Sequence, residues 1–180
     1  MPRTPHVFTT EMTLERPVDT VFPFFSDAHN LEAITPPWLN FRVLTPAPID
    51  MRAGTLIDYR IRIRGVWVTW RTRIAVWEPP YRFVDEQLKG PYVRWYHEHT
   101  FEAVTLPDGR PGTLCRDRVE HLSPGGPLEP LVNAVFVKRD VARIFAYRSQ
   151  KLRELLPPLR AGEPERGPAR GAAAMAGVAG

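Results

Sequence analysis

The chain has 180 residues, of which 43% are hydrophobic and 24% charged, and it carries a formal charge of +4. That length suits one domain with a real core, and the balance of residues excludes a chain too polar to fold. The mild positive excess lacks the basic stripe of a nucleic-acid binder, and no stretch approaches the ~20 apolar residues that cross a bilayer. A single cysteine, Cys115, rules out an intrachain disulfide and fits a reducing compartment. The first residues lack the apolar core of a signal peptide, so a soluble cytoplasmic protein is expected.

His6 to Leu14 alternates, with Phe8, Thr10, Met12 and Leu14 on one side, and reads as a first strand. Pro17 suits the first turn of a helix and Asp19 its N-terminal dipole, after which Val18, Val21, Phe22 and Phe25 form an apolar stripe. Asp27 can cap a second short helix carrying Leu31 and Ile34, which Pro36-Pro37 stops before Trp38-Leu39. Strands then follow in quick succession. Phe41 to Leu44 is short, and Leu56 to Arg64 sets Ile57, Tyr59, Ile61 and Ile63 against Asp58, Arg60, Arg62 and Arg64. Gly65 marks a turn, Val66 to Trp77 forms the next strand, and Pro79-Pro80 ends it.

Tyr81 to Phe101 reads as two extended segments joined at Gly90-Pro91. One face of the second carries Trp95, His97, His99 and Phe101, because alternate strand residues point the same way. Phe83, Asp85 and Gln87 form a comparable set on the first. Pro107-Asp108-Gly109 makes the next turn, and Thr113 to Leu122 is the last strand of an antiparallel meander. After Ser123 to Pro127, residues 131–156 contain neither Pro nor Gly, and Val137, Val141, Ile144, Phe145, Leu152 and Leu155 recur at helical spacing. Pro157-Pro158 ends this long helix, giving a single domain over 1–158. Residues 159–180, rich in Ala, Gly, Pro and Arg, are expected to be a disordered tail.

A curved antiparallel sheet and a long amphipathic helix each need an apolar cover, and wrapping one around the other satisfies both. The order of elements resembles the helix-grip proteins of the START-related and birch-pollen-allergen-like superfamily, SRPBCC. The segments that carry it are ERPVDTVFPFFSDAHNLEAITPPWLNFRV, AGTLIDYRIRIRGVWVTWRTRI, EPPYRFVDEQLKGPYVRWYHEHTF and IFAYRSQKLREL, closest to the small bacterial ligand-binding members. The resemblance implies an α+β helix-grip fold around an apolar pocket. It does not imply one activity, because the superfamily includes lipid and polyketide carriers, aromatase/cyclases, chaperone co-activators and quinone-binding proteins.

The expected binding residues are therefore Tyr59, Trp70, Phe83, Trp95, Phe101, Val119 and Phe136 as apolar wall, with Asp85, Gln87, His97, His99, Asp117 and Arg148 at a polar end. His97, His99 and Asp117 are candidate acid-base residues for a cyclase or dehydratase. His97, His99 and Asp117 make a workable metal-ligand set, but a strand His-x-His pair needs a third ligand at the right height, and neither metal nor cofactor is expected. The arginines at 60, 62, 64, 71 and 73 read as a solvated convex face paired with Glu86, Glu98 or Glu102. Trp38 and Leu39 are placed near a mouth that the 51–54 loop could gate. The preferred function is a carrier or sensor of one hydrophobic ligand: a lipid, polyketide, quinone or aromatic metabolite. The alternatives are the cyclase or dehydratase, and a protein-interaction module.

Overall fold

The computed structural model describes residues 3–159, so the expected tail lies, but for Leu159, outside the described residues. Its strands are β1 (His6–Leu14), β2 (Arg42–Val43), β3 (Leu56–Ile63), β4 (Val66–Glu78), β5 (Arg82–Lys89), β6 (Arg94–Thr105) and β7 (Pro111–Leu122). Between β1 and β2 lie helix α1 (Val18–Ser26) and the four-residue α2 (Leu31–Ile34). Helix α3 (Glu129–Val132), a π-helical turn (Asn133–Val137) and α4 (Lys138–Leu155) follow the sheet in direct succession.

The seven strands form one antiparallel sheet in the order β1-β7-β6-β5-β4-β3-β2. Local chemistry sets its turns. Ile63 pairs with Val66, leaving Arg64 and Gly65 as a two-residue hairpin loop, both at positive φ. Two left-handed residues in succession match the strand twist, and Gly65 takes its place there without Cβ strain. Irregularities in the β4–β5 pairing between Arg71 and Thr72 and between Ile74 and Val76 act as bulges, which bend a sheet. The concave face then receives α1 and α4.

Helix α1 lays Val21, Phe22, Phe24 and Phe25 on Phe83, Phe101, Met12 and Leu14, all buried. The Asp27 side chain accepts a 2.9 Å hydrogen bond from the backbone N–H of His29 and caps the turn that leads to α2, as its position suggested. Val141, Phe145, Arg148 and Leu152 form the buried stripe of α4. Leu155 is a correction to the expected stripe. The helix ends there, Leu155 faces solvent, and Leu156, already outside helical geometry, turns into the core.

The outer face of the sheet is charged and largely paired. Arg71 meets Asp58 at 2.7 Å, Arg73 meets Glu86, Arg82 meets Glu98 at 2.7 Å and Arg116 meets Glu102 at 2.7 Å. Arg60 and Arg62 instead lie over the Trp67 ring. Such exposed pairs contribute little to stability, and they leave the convex side balanced.

Candidate functional site

Between β3–β4 and α4 the concave face is not filled. A cavity of about 420 Å³ remains, bounded by Ile57, Tyr59, Ile61, Trp70, Thr72 and Ile74 from the sheet and by Val141, Ile144, Phe145 and Arg148 from α4. The aromatic side is continuous: Tyr59 stacks on Trp70 at 5.7 Å, and Trp70 meets Trp95 edge-on at 5.4 Å. Tyr92 closes against both, 4.8 Å from Trp95. At the rim, Trp38 lies under the Arg143 guanidinium at 4.2 Å, and Arg64 reaches across to Asp140 at 2.9 Å. Met51 also lines the hollow, as the placement of its loop near the mouth suggested.

One end of this apolar hollow is ionic. The sheet register sets Asp85 opposite His97 on β5–β6 and His99 opposite Asp117 on β6–β7. The two imidazoles stand side by side, 3.8 Å between ring centroids, with a carboxylate on either hand. His97 Nε2 lies 3.0 Å from Asp117 Oδ1, and His97 Nδ1 lies 3.4 Å from Asp85 Oδ2. His99 Nε2 lies 3.2 Å from Asp85 Oδ2, and its Nδ1 is 2.8 Å from Asp117 Oδ1, near but poorly aligned for a hydrogen bond. Phe83 stacks on His99 at 4.2 Å and fixes the ring plane. Arg148 enters from α4, with its guanidinium 5.5 Å from the Phe25 ring and 5.7 Å from that of Phe145.

Burial opposes every charge here, and neighbours decide the outcome. Desolvation would raise Asp117, yet the Arg148 charge and both imidazoles hold it well below the ordinary carboxylate range. Asp85 behaves likewise, lowered against burial by the charge of His97 and the hydrogen bond of His99. Burial pushes His97 down, helped by the neighbouring His99. His99 goes up, because the carboxylates of Asp117 and Asp85 on either side of it outweigh its burial. The two carboxylates are met by one guanidinium and by two imidazoles able to share protons with them, the condition under which a charged cluster survives in a dry interior.

Of the expected binding residues, Tyr59, Trp70, Phe83, Asp85, Trp95, His97, His99 and Arg148 line the cavity. Five do not. Phe101 faces inward as its parity requires, but α1 covers it with Phe22 and Phe25. Val119, fully buried, is covered by Val141 and Phe145. Asp117 does not line the hollow but stands against the two imidazoles that do. Gln87 folds back to hold the β5–β6 loop, donating to the Tyr92 carbonyl at 2.7 Å and accepting from the Tyr92 N–H at 3.3 Å. Phe136 sits in the π turn, outside the hollow, 43% exposed beneath Arg64. Conversely, Phe25, Tyr92 and Arg143 line the cavity without having been expected to. For Tyr92, an aromatic directly after Gly90-Pro91 in a turn was the available signal.

Residues 14–145 match the model of a family described as polyketide cyclase/dehydrase and lipid transport. No curated protein sequence matches the chain. Among solved structures it is similar to protein CV1439 from Chromobacterium violaceum, with 16% identity and a TM-score of 0.61, over 86% of this chain and 99% of that one. It is also similar to ginseng major latex-like protein 151 from Panax ginseng, with 9% identity and a TM-score of 0.61, over 87% and 100% of the two chains. The Zhui aromatase/cyclase from Streptomyces sp. R1128 aligns with 18% identity and a TM-score of 0.54, over 88% and 98%. At these identities the likeness establishes the helix-grip fold. Among the described residues, no helix is long and apolar enough to cross a membrane.

Proposed function

Since the chain belongs to the polyketide cyclase/dehydrase and lipid transport family, we propose that it is a carrier or sensor that holds one hydrophobic molecule by a polar end. The observation that carries this reading is the two-part wall of the hollow. Tyr59, Trp70, Trp95 and the isoleucines of β3 and β4 offer an apolar bed, and Asp85, His97, His99 and Arg148 stand at one end. About 420 Å³ is the size of a site for one small organic ligand.

Two N–H groups in this wall specify the ligand further. Trp70 Nε1 and Arg148 Nε are buried without a hydrogen-bond partner. An unmet donor costs about 1–3 kcal/mol, so a ligand with acceptor oxygens is favoured over a bare hydrocarbon. A partly oxygenated aromatic, polyketide or quinone meets this demand better than a saturated acyl chain. Native mass spectrometry of gently purified protein tests the reading. It expects one apolar, oxygen-bearing molecule per chain, and protein that takes up none after incubation with such compounds would refute it.

A cyclase or dehydratase is the second reading, supported by imidazoles that form part of the cavity wall. A proton acceptor and a shaped hollow suffice for enolisation followed by ring closure or loss of water. On this reading His97→Ala and His99→Ala abolish turnover and leave ligand affinity within a few-fold. If both only weaken binding, the carrier stands alone.

A further inference from the structure

The pairing of each imidazole with two different carboxylates has a consequence for cations. His97 Nε2 and His99 Nδ1 both turn toward Asp117 Oδ1, at 3.0 and 2.8 Å. With a proton kept on each of those two nitrogens, the remaining ring nitrogens are the ones a metal ion would claim. Both of these, His97 Nδ1 at 3.4 Å and His99 Nε2 at 3.2 Å, face the same oxygen of Asp85. In the absence of an ion the His99 Nε2–H donates to Asp85, and a metal ion would take the place of that proton among the three groups.

We propose that Asp85, His97 and His99 form a divalent-metal site whose open positions face the cavity, with Asp117 as the shared outer carboxylate that orients both rings. The spacing supports it. Ligands bonded at about 2.0–2.1 Å to one tetrahedral ion lie roughly 3.3 Å apart, and the two Asp85 separations, 3.2 and 3.4 Å, straddle that value. One donor atom from each of the three residues lies within 4.8 Å of the others. His99 Nδ1, buried and without a hydrogen-bond partner, has the outer carboxylate within reach at 2.8 Å.

The division of labour follows the wall. Asp85, His97 and His99 line the hollow, whereas Asp117 does not. An imidazole bonded to metal commonly donates its other N–H to a carboxylate, which fixes its tautomer. Two histidines and one carboxylate leave coordination positions free, and that donor set suits zinc or ferrous iron better than magnesium or calcium. Arg148 is a counterweight, since its charge opposes a cation. Its charge lowers both Asp117 and Asp85, so an ion here would compete with it for the same carboxylates. An ion held here offers its free positions to an oxygen of whatever occupies the hollow. It goes beyond the carrier reading and does not require it.

Untagged full-length protein, stripped with a chelator, is titrated with zinc by calorimetry and with cobalt(II) by visible absorption. One ion per chain is expected, with a cobalt spectrum more intense than that of the octahedral aqua ion. Asp85→Asn should weaken binding at least 100-fold and His97→Ala should abolish it, whereas Asp117→Asn should cost 10–100-fold at unchanged stoichiometry. Circular dichroism of each variant confirms that it is folded. No binding to the wild-type chain overturns the proposal, as does unchanged affinity in folded Asp85→Asn. Repeating the ligand measurement in chelator separates the two readings, because a carrier keeps its ligand there even if this site is wrong.

Discussion

Two halves of one concave sheet are treated in opposite ways. Under β5, β6 and β7, α1 drives Phe22, Phe24 and Phe25 into the curve, and Phe83, Phe101, Met12 and Leu14 close around them. Under β3 and β4 no comparable plug arrives. Ile57, Tyr59, Ile61 and Trp70 face a hollow, although their inward parity is as regular as that of the packed half. Alternation along a strand therefore decides which side chains face inward, and the element laid over them decides whether they become core or cavity. The ionic cluster sits at the seam, with Phe83 stacked on His99 from the packed side and Trp95 edge-on to His97 from the hollow one.

That contrast can be broken most forcefully in the packed half. Phe22→Ala removes a ring in contact with Trp77, Phe83 and Phe101, and chemical denaturation should record a loss of about 3–5 kcal/mol. At the seam, Arg148→Met leaves two carboxylates under-compensated. It should cost about 3 kcal/mol in the same measurement and lower affinity for an anionic ligand at least tenfold. In the hollow half the order reverses. Ile57→Phe adds volume to empty space, so stability should change by less than about 1 kcal/mol while ligand affinity falls at least tenfold. The smallest effect concerns Cys115, buried in the packed half with its thiol pushed up to about 12 by burial. Alkylation near neutral pH should be slow and should accelerate only in denaturant, whereas rapid labelling of native protein would show the packed half to be loose.

The same contrast explains what could be read from the residues alone. The meander, the faces of its strands, the capping by Asp27 and the place of Arg148 in the helical stripe all follow from period and local chemistry, because those signals are contained in a few adjacent residues. Phe101 and Val119 were given the correct face but not their cover, which comes from helices far away in sequence. Phe136 lies in a π turn just before the periodic stripe that starts at Val137, so it was named for its aromatic character with no periodic signal behind it. Gln87 shares the face of Phe83 and Asp85 in parity, but at the end of its strand the loop backbone offers partners and takes it. Asp85 and Asp117 were both anticipated inward. Which of them stands in the wall and which behind it depends on how far each strand lies from the hollow, a tertiary fact.

Titrating wild-type protein and Ile57→Phe in parallel with the fluorescent naphthalene-sulfonate dye ANS, an aromatic anion suited to Trp70 and Arg148, reads the hollow itself. Saturable one-to-one binding by the wild type, weakened at least tenfold in the variant, is the predicted result. Absence of saturable binding, or equal binding by the two proteins, would mean that the space between β3–β4 and α4 does not receive a ligand.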